Sequence, residues 1–359
     1  MKIKLLAGII LLACMQCKKP TYHSQIQTAR DSVSALIEKN QIPGLAITVM
    51  VDGELVWSEG FGHADVEQDV HVDPSKTRFR IGSISKSLTT FGLGRLYEQK
   101  KIHFDSSIYY YYPDYPRYKY RPSVRQVAGH LAGIRHYRGN EWLSATRFPT
   151  VAAGLSIFKN DSLLFRPGDR FEYTSYGFNL LSAVMEKASG KDFLKFMNEE
   201  VFKALKLNNT CQDLTDSIIY NRSRFYERSD GRLTNAPYVD NSYKWAGGGF
   251  ISTAEDIASF GNALMGNPVL SDETIKLLTT PQNLNDGSLT TYGMGFGVRT
   301  DHYSRSFFGH SGGSVGGTSD MVIYPEEKIV VAVLTNLSDA NVSRIAKEVA
   351  HIMMEEPKR

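Results

Sequence analysis

The sequence predicts an α+β protein with one antiparallel sheet, built from both ends of the chain and flanked by helices, and a large, mainly helical insertion. Strand-like stretches occur near the start and return only near the end, and residues 83–289 between them show mostly helical spacing. We therefore expect one domain over 24–355, with a sheet lobe (24–82 plus 290–355) and a helical lobe (83–289). A cleft is expected where the two lobes meet.

Each element follows from a local pattern. Apolar residues at helical spacing from Ile26 to Ile37 predict an opening helix, and Asp52-Gly53 suits a tight turn between two strands. The predicted strands are Leu45–Val51, Glu54–Gly60, Tyr292–Arg299, Ser304–His310, Thr318–Tyr324 and Ile329–Thr335. The main helices of the insertion are Ser83–Lys101, Asn179–Ser189, Phe193–Leu205 and Thr253–Met265, and a closing helix spans Asn341–Met354.

Composition excludes some functions but selects none. The chain has 359 residues, of which 42% are hydrophobic, and its 41 Lys and Arg against 38 Asp and Glu leave a net charge of +3. No long run of one sign suggests a nucleic-acid partner, so none is expected. The sequence leaves the oligomeric state open.

The first residues predict export. Lys2 and Lys4 precede an apolar stretch too short to span a bilayer, which indicates a signal peptide over 1–13. Leu11-Leu12-Ala13-Cys14 resembles a bacterial lipobox, so Cys14 would be lipidated and residues 14–23 would form a tether to a membrane facing the periplasm. The alternative is an ordinary cleaved signal and a soluble secreted protein. Cys211 is then the one thiol of the folded body and is expected to be structural.

A serine and a lysine three residues apart are the first candidates for chemistry. Ser83 opens a predicted helix and Lys86 lies on the same face, so backbone N–H groups and an amine can both reach the Ser83 hydroxyl. The same spacing recurs at Ser156 and Lys159, where no strand leads into a helix. We therefore assign the nucleophile to Ser83.

Two later segments complete the predicted site. Tyr173 lies in a turn between Pro167-Gly168 and a predicted apolar helix, so its phenol can enter the cleft. His310 ends a predicted strand just before two glycines, which allow a substrate to approach the backbone closely. His130 and His136 lack a supporting carboxylate motif and are expected to be structural, as is a capping box of Ser252 and Glu255.

With these motifs in this order, the chain resembles the serine β-lactamase and penicillin-binding superfamily, in its class C and D-aminopeptidase-like branch. Residues 130–137 and 235–250 resemble, more narrowly, the mitochondrial serine β-lactamase-like proteins and their bacterial relatives. The similarity covers residues 40–336. It implies the β-lactamase/transpeptidase fold, an oxyanion hole of Ser83 and Gly313 N–H groups, and no metal or other cofactor. It also implies substrate contacts from Ser175, Ser311 and Gly312.

The resemblance implies a serine hydrolase that forms an acyl-enzyme on Ser83 and cleaves peptide, amide, ester or β-lactam bonds. The alternatives are a D-Ala-D-Ala-type carboxypeptidase or a catalytically weak scaffold. Two positions depart from the family pattern: Ser175 replaces an asparagine, and His310 replaces a lysine. A histidine, with an ordinary pKa of about 6.5, binds a substrate carboxylate less reliably than lysine. The sequence does not decide whether Lys86 or Tyr173 is the general base.

Overall fold

The computed structural model describes residues 22–266 and 268–355. The predicted signal peptide, Cys14 and most of the predicted tether therefore lie outside the described residues. None of the helices in the described ranges is both long enough and apolar enough to cross a bilayer.

The described residues form twelve strands and eleven α-helices. The strands are β1 (Gly44–Val51), β2 (Glu54–Asp65), β3 (Val70–His71), β4 (Phe79–Arg80), β5 (Cys211–Gln212), β6 (Tyr226–Ser229), β7 (Arg232–Asn235), β8 (Phe250–Ser252), β9 (Gly297–Thr300), β10 (Ser306–Ser314), β11 (Gly317–Tyr324) and β12 (Ile329–Thr335). The helices are α1 (His23–Asn40), α2 (Ile84–Glu98), α3 (Ile108–Tyr111), α4 (Val124–Ala128), α5 (Val151–Gly154), α6 (Ser175–Ser189), α7 (Phe193–Met197), α8 (Trp245–Gly248), α9 (Ala254–Ala263), α10 (Asp272–Thr279) and α11 (Ser343–Met354).

The main sheet joins the two ends of the chain. Its seven strands are antiparallel in the order β3-β2-β1-β12-β11-β10-β9, so the early hairpin and the late meander meet where β1 pairs with β12. Both central strands are almost wholly apolar and fully buried, as expected for strands covered on two faces. The predicted α+β fold is confirmed.

Helices cover both faces of this sheet. On one face, α1 and α11 pack through residues such as Ala29, Val33, Ala346 and Val349, which are completely buried. On the other face, α9 lies against β1 and β12, and the helices of the insertion extend this core around α2. Because α2 is buried on nearly every side, it is a rigid platform for the residue at its start.

The segment before β10 differs from the prediction. A strand was expected over Tyr292–Arg299, but β9 begins only at Gly297. The backbone turns first, because Gly295 has φ +73°, a conformation that side chains with a Cβ rarely adopt, and Gly293 donates a turn hydrogen bond to the Phe296 carbonyl. Tyr292 therefore lies outside β9 and keeps only an isolated bridge to Gly297, and its side chain is buried.

Candidate active site

Ser83 stands at the start of α2, immediately after a strained turn. Gly82 has φ +48° and lies against the backbone of Gly313 on β10, where a Cβ would meet the Gly313 nitrogen at 2.8 Å. Only glycine fits both the backbone conformation and this close approach. The turn therefore places Ser83 beside the edge of the sheet.

Lys86 is completely buried one turn further along α2. Its Nζ lies 3.0 Å from Ser83 Oγ and 3.0 Å from Ser175 Oγ, and it also donates to the Gly247 carbonyl oxygen. Burial and the nearby Lys244 ammonium lower the Lys86 pKa well below its ordinary value. A neutral amine has two N–H groups and one lone pair. It can donate to Ser175 and Gly247 and accept the proton of Ser83.

Two histidines hold the loop that carries Tyr173. The Nδ1 atom of His130 accepts the backbone N–H of Thr174 at 3.2 Å, and that of His136 accepts the N–H of Ser175 at 3.1 Å. Their rings contact the Tyr173 ring at centroid distances of 4.4 and 5.8 Å. Burial lowers the pKa of His136 to about 4, consistent with an unprotonated acceptor. Both histidines are thus structural, as the sequence predicted.

The Tyr173 hydroxyl lies near the Ser83 hydroxyl, and the centre of the Tyr173 ring lies 4.9 Å from Lys86 Nζ. Burial raises the pKa of Tyr173 above its ordinary value, and the neighbouring Ser83 hydroxyl offsets this only in part. The phenol is therefore protonated. The pKa of Lys86 is thus lowered and that of Tyr173 is raised.

His310 reaches the cleft from β10 in a fixed orientation. Its Nδ1 lies 2.6 Å from the Ser311 carbonyl oxygen and its Nε2 lies 2.8 Å from the Tyr292 hydroxyl. The carbonyl can only accept, so Nδ1 carries the proton and Nε2 accepts from Tyr292. Burial and the nearby Lys86 lower the pKa of His310 to about 3. His310 is therefore a neutral group, unlike the lysine that it replaces in the family pattern.

One cavity of about 450 Å³ collects most of the predicted site. Ser83, Tyr173, His310, Ser311 and Gly313 all line it.

Two predicted substrate contacts, Ser175 and Gly312, and the serine of the second Ser-x-x-Lys sequence, Ser156, are not among the residues that line this cavity. Ser175 is buried and faces Lys86, and Gly312 packs against the Ile81 carbonyl oxygen. Ser156 is exposed in a separate 3-10 helix over Leu155–Ile157.

Several residues of the site were not predicted. Tyr292 was assigned to a strand, although the glycines on both sides of Met294 indicate a turn. Lys244 is buried, and burial lowers its pKa to about 7. Two basic residues, Arg299 and Lys347, line the cavity together with Asp320. Burial raises the pKa of Asp320 to about 7 against the opposing effect of both cations. Arg299, Asp320 and Lys347 lie on three different elements, and nothing in their local sequence indicated that they face one cavity.

A serine hydroxyl that lies beside a buried lysine amine and a phenol, at the start of a buried helix and beside a sheet edge, defines a serine hydrolase of the acyl-enzyme class. Comparison with known proteins agrees. The Beta-lactamase family model matches residues 29–352, so the chain belongs to the β-lactamase family.

Relatives and solved structures support the assignment. The human mitochondrial serine beta-lactamase-like protein LACTB is 32% identical, over 94% of this chain and 80% of its own length. Penicillin-binding protein 4* of Bacillus subtilis is 24% identical, over 89% of this chain and 74% of its own length. The structure of an octameric penicillin-binding protein homologue from Pyrococcus abyssi superposes with a TM-score of 0.78 at 25% identity, covering 92% of this chain and 77% of that one.

Proposed function

We propose that Ser83 is the acylated nucleophile, Lys86 the general base, Tyr173 the proton relay and His310 a neutral hydrogen-bonding group that positions the substrate. The observation that carries the proposal is the position of Ser83 Oγ, which lies 3.0 Å from the Lys86 amine and in the same cavity as the Tyr173 side chain. An unprotonated amine at 3.0 Å can take the serine proton directly.

Acylation begins when Ser83 Oγ attacks the substrate carbonyl carbon and its proton passes to Lys86. The carbonyl electron pair moves onto oxygen, and the N–H groups of Ser83 and Gly313 stabilise that oxyanion; one such donor is worth roughly 10²–10³ in rate. Collapse breaks the bond to the leaving group, which receives the Lys86 proton through the Tyr173 hydroxyl. The close contact of Gly82 with Gly313 supports this pairing of N–H donors.

Deacylation repeats these transfers with water as the nucleophile. The water oxygen bonds to the acyl carbon, its proton moves through Tyr173 to Lys86, and Ser83 Oγ leaves and takes the proton back. Peptide, amide, ester and β-lactam bonds all fit this chemistry. Because His310 is neutral, Arg299 and Lys347 are the groups we propose for attracting a negatively charged part of the substrate. Ser311, at the same wall, is proposed to contact the substrate.

A fluorophosphonate label followed by peptide mass mapping tests the nucleophile. We expect one adduct, on the peptide containing Ser83, and Ser83→Ala should lose both the adduct and at least about three orders of magnitude of turnover. Ser156→Ala is the matched control, because it removes the serine of the second Ser-x-x-Lys sequence. Labelling of Ser83→Ala at wild-type level, or loss of activity in Ser156→Ala, would contradict the assignment.

We also propose that the protein is exported and held on a membrane by lipid on Cys14. The support is the apolar stretch before Leu11-Leu12-Ala13-Cys14. Incorporation of an alkyne-tagged fatty acid in the native host tests it. Cys14→Ala should lose the label and leave the membrane fraction, and Cys17→Ala should keep both. Label that persists in Cys14→Ala would refute the anchor.

A further inference from the structure

Two histidines and an aspartate lie together at the sheet edge formed by β3. His63 on β2 is paired directly with His71 on β3, and their rings stack with centroids 4.8 Å apart. Asp69 belongs to the turn between these strands, and its carboxylate lies 3.0 Å from His63 Nε2. One ligand atom from each residue lies within 4.8 Å of the other two. In the described ranges this is the one group of three or more His, Cys, Asp or Glu residues with such spacing.

This trio has the chemistry of a transition-metal site. Two imidazoles and one carboxylate are a common protein ligand set for Zn²⁺, which binds nitrogen and oxygen at roughly 2.0–2.2 Å and accepts water as a fourth ligand. Tetrahedral bonds of that length hold ligand atoms about 3.3 Å apart. The His63 and Asp69 ligand atoms lie 3.0 Å apart, within a few tenths of an ångström of this separation. His71 needs only a side-chain rotation, which its exposure permits.

We propose that His63, Asp69 and His71 bind a divalent transition-metal ion of the Zn²⁺ class. The ion would be structural, because β3 and the catalytic strand β10 lie five strands apart in the sheet. It would also stabilise the pairing of β3 with β2. Strand β3 is only two residues long, both of them exposed, and a metal bond to β2 would fasten this edge. The prediction that the catalytic site needs no metal is unaffected.

The neighbouring charges favour a preformed site. Asp65 accepts the backbone N–H groups of Glu67 and Gln68, which fixes the turn. Glu67 in turn pairs with Arg224. Arg224 is thus paired with carboxylates of this turn other than Asp69, whose own carboxylate lies against His63.

The test uses chelator-treated full-length protein titrated with ZnCl₂ by calorimetry and, separately, with CoCl₂ by visible absorption. We expect one Zn²⁺ per chain, a rise in melting temperature with added Zn²⁺, and the intense d–d bands of Co²⁺ in a low-coordinate site. His71→Ala should weaken binding at least tenfold and abolish the rise in melting temperature, with unchanged turnover. His103→Ala, at an exposed histidine elsewhere, is the control.

Asp69→Asn separates a metal site from a simple ion pair. It removes the charged ligand and keeps a residue type that tolerates the φ of +54° found there. We expect Asp69→Asn to bind Zn²⁺ at least tenfold more weakly than wild type. Binding that is equal in wild type, Asp69→Asn and His71→Ala, or wild-type affinity no tighter than millimolar, would overturn the proposal. The proposal is decided by metal binding and not by turnover, so these results are independent of the catalytic assignment.

Discussion

Replacing Gly312 by alanine tests whether the packing of β10 against the nucleophile segment sets the geometry of the site. A Cβ at Gly312 would overlap the Ile81 carbonyl oxygen and the Ser319 hydroxyl, both closer than 3.0 Å. Neither atom can move freely, because Ile81 is fully buried and Ser319 itself donates to that carbonyl at 2.8 Å. The strand must therefore move away from the segment that leads into Ser83.

Overpacking of this kind costs about 1–3 kcal/mol. In a domain of this size that corresponds to a fall in melting temperature of roughly 1–4 °C. Turnover should fall more than the loss of stability alone would suggest, because His310 and Gly313 lie on the same strand as Gly312. A displacement of about 1 Å between reacting groups can reduce turnover about a hundredfold. Thermal unfolding by circular dichroism and kcat/KM on an aryl ester measure the two effects separately.

Gly313→Ala is the matched control in the adjacent position. An added Cβ there meets no atom within 4 Å, and Gly313 does not have a positive φ. We expect its melting temperature to stay within about 1 °C of wild type. If Gly312→Ala is as stable and as active as wild type, the argument that this contact positions the site is refuted.

Three further predictions follow from the charges around the cavity. Lys244→Met removes the ammonium that helps to lower the Lys86 pKa, so the acid limb of the pH profile of kcat/KM should move to higher pH; an unchanged limb would argue against Lys86 as base. The His310 ring, whose pKa burial lowers to about 3, should stay neutral at pH 5 by ¹⁵N NMR, and protonation near pH 6 would contradict the assigned hydrogen bonds. Arg299→Ala should lower kcat/KM about tenfold for a substrate bearing a carboxylate and leave its methyl ester unaffected; equal effects on both would exclude a charge contact.

The sequence was informative wherever local pattern determines structure. Continuous apolar runs predicted β1 and β12, and the spacing of Ser83 and Lys86 on one helix predicted their contact, which is observed. The capping box was wrong: Thr253 caps α9 by accepting the N–H of Asp256, and Glu255 instead accepts a hydrogen bond from Ser58. Thr253 is the better placed cap because Ser252 is still part of β8.

Contacts between distant segments were not predictable from local pattern. The orientation of Ser175 depends on a lysine on another helix, and that of Tyr292 depends on a histidine on another strand. No periodicity encodes either contact. The lowered pKa values of His310 and Lys86 likewise arise from burial by residues far along the chain. The proposal that Lys86 is the base therefore depends on the folded cleft and not on local sequence.

The pairing of β1 with β12 has a consequence for biosynthesis. Leu334 can lie opposite Ala46 only after the ribosome has synthesised the chain beyond residue 334, and only then can the meander of β10, β11 and β12 pair with β1 through β12. Joining such remote ends is slow, since closing a loop of this length costs entropy before any contact offsets it. A nascent or truncated chain therefore has its serine and lysine but no opposing wall, and hydrolytic capacity arises only at the close of folding.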